Sequence, residues 1–267
     1  MRTGALLSQV YKKAFWNTYD HIGTVILTNL LWFAIFPLPT FLCFRYVPLS
    51  IAHRVVLTIV VGLMTNAFAM SGLFGITSRL ANYEDSSIRH FLAHGRRFYW
   101  RMFALSLIYA TAVAILVVGI RFYLGWKALG GLPGFALAGW QVTILAFVLL
   151  TQAYVMPLAT LRDHGVWQTM KWSAILTILK PGYTVLVFLQ AVAIFVLVSL
   201  TGIGIAVLAL ALVAIFLNTA TRELWHQIEA QWKPGRKPTS WREIFRERER
   251  AEEESRSLKD LLHPWDV

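Results

Sequence analysis

The sequence predicts an all-α, polytopic membrane protein: six transmembrane helices, amphipathic cytoplasmic helices and a charged, helical C-terminal tail. Three observations predict it. The 267-residue chain is 57% hydrophobic and only 15% charged, where an average soluble domain carries about 25% charged residues. Apolar runs of about 20 residues, the length that crosses a hydrocarbon core, recur along it. The cations between those runs alternate: all but Arg45, Arg54, Arg121 and Lys127 of the 25 Lys/Arg fall on one side of a six-span threading.

The element order follows from the same pattern. Leu6, Leu7, Val10, Tyr11, Ala14 and Phe15 recur at helical spacing beside Lys12, Lys13 and Trp16. They predict either a short helix lying in the membrane interface or an extension of the first span. No compact apolar region with a cleavage-like site occurs before residue 20, so no removable signal peptide is expected. Spans are expected at about 22–44, 55–76, 102–124 and 137–158. The apolar block 183–219 is too long for one crossing, and Thr201-Gly202-Ile203-Gly204 marks a turn that divides it into the fifth and sixth. An even count puts both termini on one side, and the positive-inside rule makes that side the cytoplasm. The domain division expected is a transmembrane domain over 1–221 and a charged cytoplasmic tail over 222–267.

The net charge of +11 does not read as a nucleic-acid surface, because the cations follow the membrane alternation. A single cysteine, Cys43, rules out an intrachain disulfide and metal sites built on cysteine pairs. The acidic residues all lie outside the apolar cores, as Asp20, Glu84, Asp85, Asp163 and the group from Glu223 onward. Intramembrane ionisable groups mark proton relays and ion-coupled carriers, so a proton-coupled carrier is disfavoured. No Walker A, HExxH or GxSxG pattern occurs, and His90-Phe91-Leu92-Ala93-His94 lacks the glutamate of a zinc helix. The expectation is therefore no catalytic residue, no cofactor and no metal.

The polar groups left inside the spans are Asn29, Asn66, Gln152, Gln190 and Asn218, with Gln141 near one end. Their amides are expected to join helices, or else to bind a neutral polar solute such as a sugar. Pro37-Leu38-Pro39 should kink or break the first span. Between the second and third spans, Ser86 or Ser87 should cap a separate amphipathic helix with Ile88, Phe91, Leu92 and Phe98 on its greasy face. Arg89, Arg96 and Arg97 on that helix, with Arg162 and Lys171 in the loop after the fourth span, form the candidate surface for docking membrane lipids or a cytoplasmic partner. Ser240-Trp241-Arg242-Glu243 and Ser257-Leu258-Lys259-Asp260 fit capping boxes in the tail. The apolar end around Leu261, Leu262 and Trp265 suits either a docking peptide or a segment folded back on the bundle.

Two stretches resemble the YesL-like membrane proteins of bacteria. The first is Asn29-Leu30-Leu31-Trp32 followed by Pro37-Leu38-Pro39-Thr40; the second contains Tyr154, Pro157, Leu158, Asp163, Gln168, Thr169, Lys171 and Pro181. The segment 87–103 is similar to that family's aromatic and basic stretch before the third span. The resemblance covers roughly residues 10–220 and leaves out the tail. It implies a non-catalytic accessory or assembly partner of a carbohydrate import system of the ABC type, with a permease or its ATPase as partner. Asp163-His164-Gly165 followed by Pro181 is also similar to part of the EAA…G loop that ABC permeases present to their ATPase, without its EAA element. A permease-like subunit that itself carries solute is therefore the alternative.

Overall fold

The computed structural model describes residues 3–84, 86–125 and 131–232. The two capping boxes of the tail and its apolar end lie outside the described residues. Thr3–Glu223 form one compact unit; of the second, Leu224–Trp232 are described. Within that second stretch the Trp225 Nε1 donates to the Glu229 carboxylate one turn later, at 2.7 Å.

The described chain is helical, with no strand: α1 (Thr3–Asp20), α2 (Ile22–Ile35), α3 (Pro37–Tyr46), α4 (Ile51–Ala81), α5 (Ile88–Gly125), α6 (Leu132–Leu161), α7 (Val166–Leu179), α8 (Pro181–Ser199), a π-helical segment (Ile205–Ala209) and α9 (Leu210–Trp232). Six helical stretches are long and apolar enough to cross a membrane: Ile22–Tyr46, Ile51–Ala81, Ile88–Gly125, Leu132–Leu161, Pro181–Ser199 and Ile205–Glu229. The protein is thus an all-α, multi-pass membrane protein.

The first of these crossings is broken. Phe36 stands between α2 and α3, and Pro37 opens α3 at its first turn. Proline has no N–H to give back to the preceding turn, and Thr40 instead anchors the new turn through Oγ1 to the Phe36 carbonyl at 2.7 Å. The segment expected as a separate amphipathic helix is a correction: residues 88–101 are the opening turns of α5, continuous with the third span. Nothing at Arg101-Met102 breaks a helix, so one amphipathic stretch runs into the lipid-facing one. Val166–Leu179, in contrast, stands as its own helix, α7.

Neighbours in sequence are mostly neighbours in space, α4 on α5, α5 on α6 and α6 on α7. Small residues let α4 and α5 meet closely. A Cβ added at Gly72 would lie 2.6 Å from the Phe91 ring, and one at Gly95 would lie 2.8 Å from the Phe68 ring. Ala67, Phe98, Met102, Leu105, Val155 and Ala159 make the dry centre shared by α4, α5 and α6. The series closes because α2 packs on α4 and also on the π-helical segment that opens the last span.

Candidate functional site

Two polar assemblies stand out, one inside the bundle and one at its basic end. The inner one is built on Asn29, which is fully buried. Its Nδ2 donates to the carbonyls of Ile205 at 3.0 Å and Ala206 at 2.7 Å, and its Oδ1 accepts from the Ala211 N–H at 2.9 Å. A π-helical turn is wider than an α-turn and displaces backbone groups from their usual partners. At membrane depth such groups must be satisfied within the protein, and the Asn29 amide does so on both sides of the segment. Thr201 holds the turn before it, with its Oγ1 accepting from the Gly204 N–H at 3.0 Å.

The other intramembrane amides divide. Asn218 Nδ2 donates to Thr77 Oγ1 at 2.8 Å, joining α9 to α4. Asn66, Gln152 and Gln190 make no hydrogen bond among the described residues, and the buried Oδ1 of Asn66 has no partner. The bonds between helices come also from residues that composition did not single out. Tyr154 Oη meets Thr184 Oγ1 at 2.9 Å, and Tyr183 Oη donates to the Ala220 carbonyl at 3.1 Å.

At the basic end, Asp163 is held by two arginines of α5. Arg97 donates to one carboxylate oxygen and Arg101 to the other, each at 2.6 Å. Arg101 also reaches the Ala159 carbonyl at the end of α6, at 3.2 Å. Asp163 adopts φ +52°, the left-handed conformation that turns the chain from α6 toward α7. The Arg101 hydrogen bond, with that of Arg97, holds the Asp163 carboxyl below the usual carboxylate range. Burial and the nearby Arg162 and Arg101 charges lower the His164 pKa. Both guanidinium groups also lie over the buried Phe98 ring, that of Arg97 at 5.3 Å and that of Arg101 at 5.4 Å from its centroid.

The five cations expected as a docking surface therefore have different fates. Arg97 is committed to Asp163, and Arg162 is engaged within the chain. Arg89, Arg96 and Lys171 are exposed and make no ion pair or hydrogen bond among the described residues. Trp100, one turn after Arg96 on α5, and Trp167, one turn before Lys171 on α7, are 74% and 76% exposed. Exposed tryptophan beside cations suits the headgroup layer of a membrane.

One charged contact departs from the sequence reading. Glu223 is only 3% exposed, and its carboxylate receives Lys13 Nζ of α1 at 3.2 Å. The acid is part of the helix of the last crossing. Next to it, Arg222 donates to the Ala81 carbonyl and lies over the Tyr83 ring, capping the end of α4. The only sequence signal for these contacts is that both residues follow directly on the apolar run.

Among the described residues no group of three or more His, Cys, Asp or Glu side chains is placed to hold a metal ion. His90 Nδ1 lies 3.1 Å from the Ser87 backbone N–H, within the first turn of α5. Comparison with protein-family models, curated proteins and solved structures gives no match.

Proposed function

We propose that this is a non-catalytic protein of the cytoplasmic membrane, with both termini inside, that serves as an accessory or assembly partner of a carbohydrate transport system of the ABC type. The cation alternation supports the orientation. The resemblance to the YesL-like proteins supports the transport context. The observation that carries the reading is the two cations Arg96 on α5 and Lys171 on α7: both are exposed and make no ion pair among the described residues, while the acid Asp163 is already saturated by Arg97 and Arg101. Exposed cations that make no ion pair among the described residues, with exposed tryptophan on the same helices, fit an acidic surface on a permease or its ATPase.

The test is purification from native membranes in mild detergent, with mass spectrometry of what accompanies the chain. A transporter permease or ATPase is expected, and its recovery should fall when Arg96→Ala and Lys171→Ala are combined. A lone protein that carries solute into liposomes would replace this reading with that of a permease-like subunit. Orientation is checked on a Cys43→Ser background with a membrane-impermeant thiol reagent. The reagent should reach Arg96→Cys from the cytoplasmic side only and Arg121→Cys from the opposite side only. Labelling of Arg121→Cys from the cytoplasm would overturn the orientation.

A further inference from the structure

A groove of about 720 Å³ opens beside the start of α2, between that helix, the end of α4 and the first turn of α5. Its volume lies in the range of small-molecule and cofactor sites, about 300–1,000 Å³. Its two ends differ in chemistry. Arg89 and Ser87 stand at the mouth, with Thr24 just inside; Leu27, Leu31 and Ile76 form the walls further in. Thr24, Leu27 and Leu31 follow one another at helical spacing, so they make a single stripe about 10 Å long that leads from the basic end into the first crossing.

Among the described residues no acid answers the charge at the mouth. None of the described residues lining the groove is acidic. Arg89 is exposed and has no ion pair or hydrogen bond among the described residues, and the Thr24 hydroxyl likewise has no partner among them. Glu84, the described acid closest in sequence, faces Arg79 at 3.4 Å. Gly23 adds room, because a Cβ placed there would meet nothing within 4 Å. A cation at the interfacial end, a hydroxyl below it and an apolar wall running into the bilayer match one molecule class: a phosphate-bearing head joined to a hydrocarbon chain.

We infer that the groove seats one anionic phospholipid, its phosphate on the Arg89 guanidinium and one acyl chain along Thr24, Leu27 and Leu31. Arginine suits this task because its planar fork binds phosphate oxygens in pairs. What marks this groove is the combination of a cation at its mouth with an apolar wall beneath it. The inference does not depend on a transport partner.

The full-length protein, solubilised in mild detergent, is titrated with dioleoyl phosphatidylglycerol and, separately, dioleoyl phosphatidylcholine, with bound lipid counted by native mass spectrometry. One phosphatidylglycerol should be retained in preference to phosphatidylcholine. Arg89→Gln should weaken its retention about tenfold, the usual scale for a lost hydrogen bond to a charged group. Gly23→Leu should weaken it by blocking the groove, and Arg96→Gln should leave it unchanged. An equal loss with Arg96→Gln would show a diffuse charge effect and overturn the site. So would full retention by Arg89→Gln, a readout that stands even if Gly23→Leu fails to fold. Glycerol 3-phosphate is the soluble competitor. If it displaces the lipid at equal concentration, the chain-binding half of the groove is wrong.

Discussion

The Asn29 lock and the Asp163 clamp make a similar number of hydrogen bonds by opposite means. Asn29 is neutral, fully buried and bonded only to backbone. Asp163 is charged, partly exposed and bonded to two long side chains. The clamp has the shorter contacts and the formal charges, yet water and salt can replace or screen it. The lock has no charge, but nothing in the bundle interior can replace it. The lesson is that the surroundings set the worth of a polar contact more than its strength in isolation does.

The Lys13–Glu223 pair gives the hardest test of that contrast, because it combines charge with burial. Lys13→Met takes the ammonium away from a Glu223 carboxylate that is only 3% exposed. Removing one partner of a buried pair costs about 3 kcal/mol or more, the largest loss expected here, read as a lowered midpoint of denaturation in detergent. Adding Glu223→Gln should restore part of it. If Lys13→Met costs no more than an exposed lysine substitution, burial is not what gives the pair its worth.

Asn29→Leu comes next. It strands the Ile205 and Ala206 carbonyls and the Ala211 N–H, for a loss of about 2 kcal/mol. Amide hydrogen exchange should rise over residues 205–211 and stay unchanged in α5. High salt should not alter the effect.

Asp163→Asn is expected to cost least, about 1 kcal/mol or less, since exposed ion pairs are screened. Raising salt should shrink even that. Its pH dependence has a definite sign. The folded carboxyl titrates below its ordinary value of 3.8, so the contribution is complete above that value and is lost as pH falls through the folded one. The gap between wild type and Asp163→Asn should be flat from pH 7 to 5 and close only in stronger acid. A gap that closes near pH 6 would mean that another group, such as His164, governs the clamp.

The crossings were legible because each rests on a local property, a run of apolar residues of sufficient length. The turn at Thr201–Gly204 was legible for the same reason: two glycines interrupt one such run. The long α5 was read as two pieces because amphipathic and fully apolar segments look like different elements, although no residue between them ends a helix. Asn29 was legible as a polar group in an apolar run, but its partner was not. A π-helical turn is set by packing against another helix and leaves no signature in its own residues, Ile205 to Ala209. Glu223 was misread for a related reason. An acid directly after Thr221-Arg222 looks like the start of a solvated tail, and the Lys13 ammonium that meets it comes from far away in sequence. At the basic end, sequence supplied the cations but not their allocation. Which arginines Asp163 takes depends on its left-handed turn, and Arg89, Arg96 and Lys171 make no ion pair among the described residues.

The Asn29 lock also fixes an order of events during synthesis. Asn29 precedes Ile205 by 176 residues. At about 5–20 residues per second, roughly ten to thirty-five seconds separate the two at the ribosome. Throughout that interval the amide has none of its final partners and must be sheltered by the insertion machinery, by water or by provisional neighbours. Chains cut short before residue 205 keep it exposed, which makes them natural targets for membrane quality control. The last crossing to be translated is thus the one that completes the first.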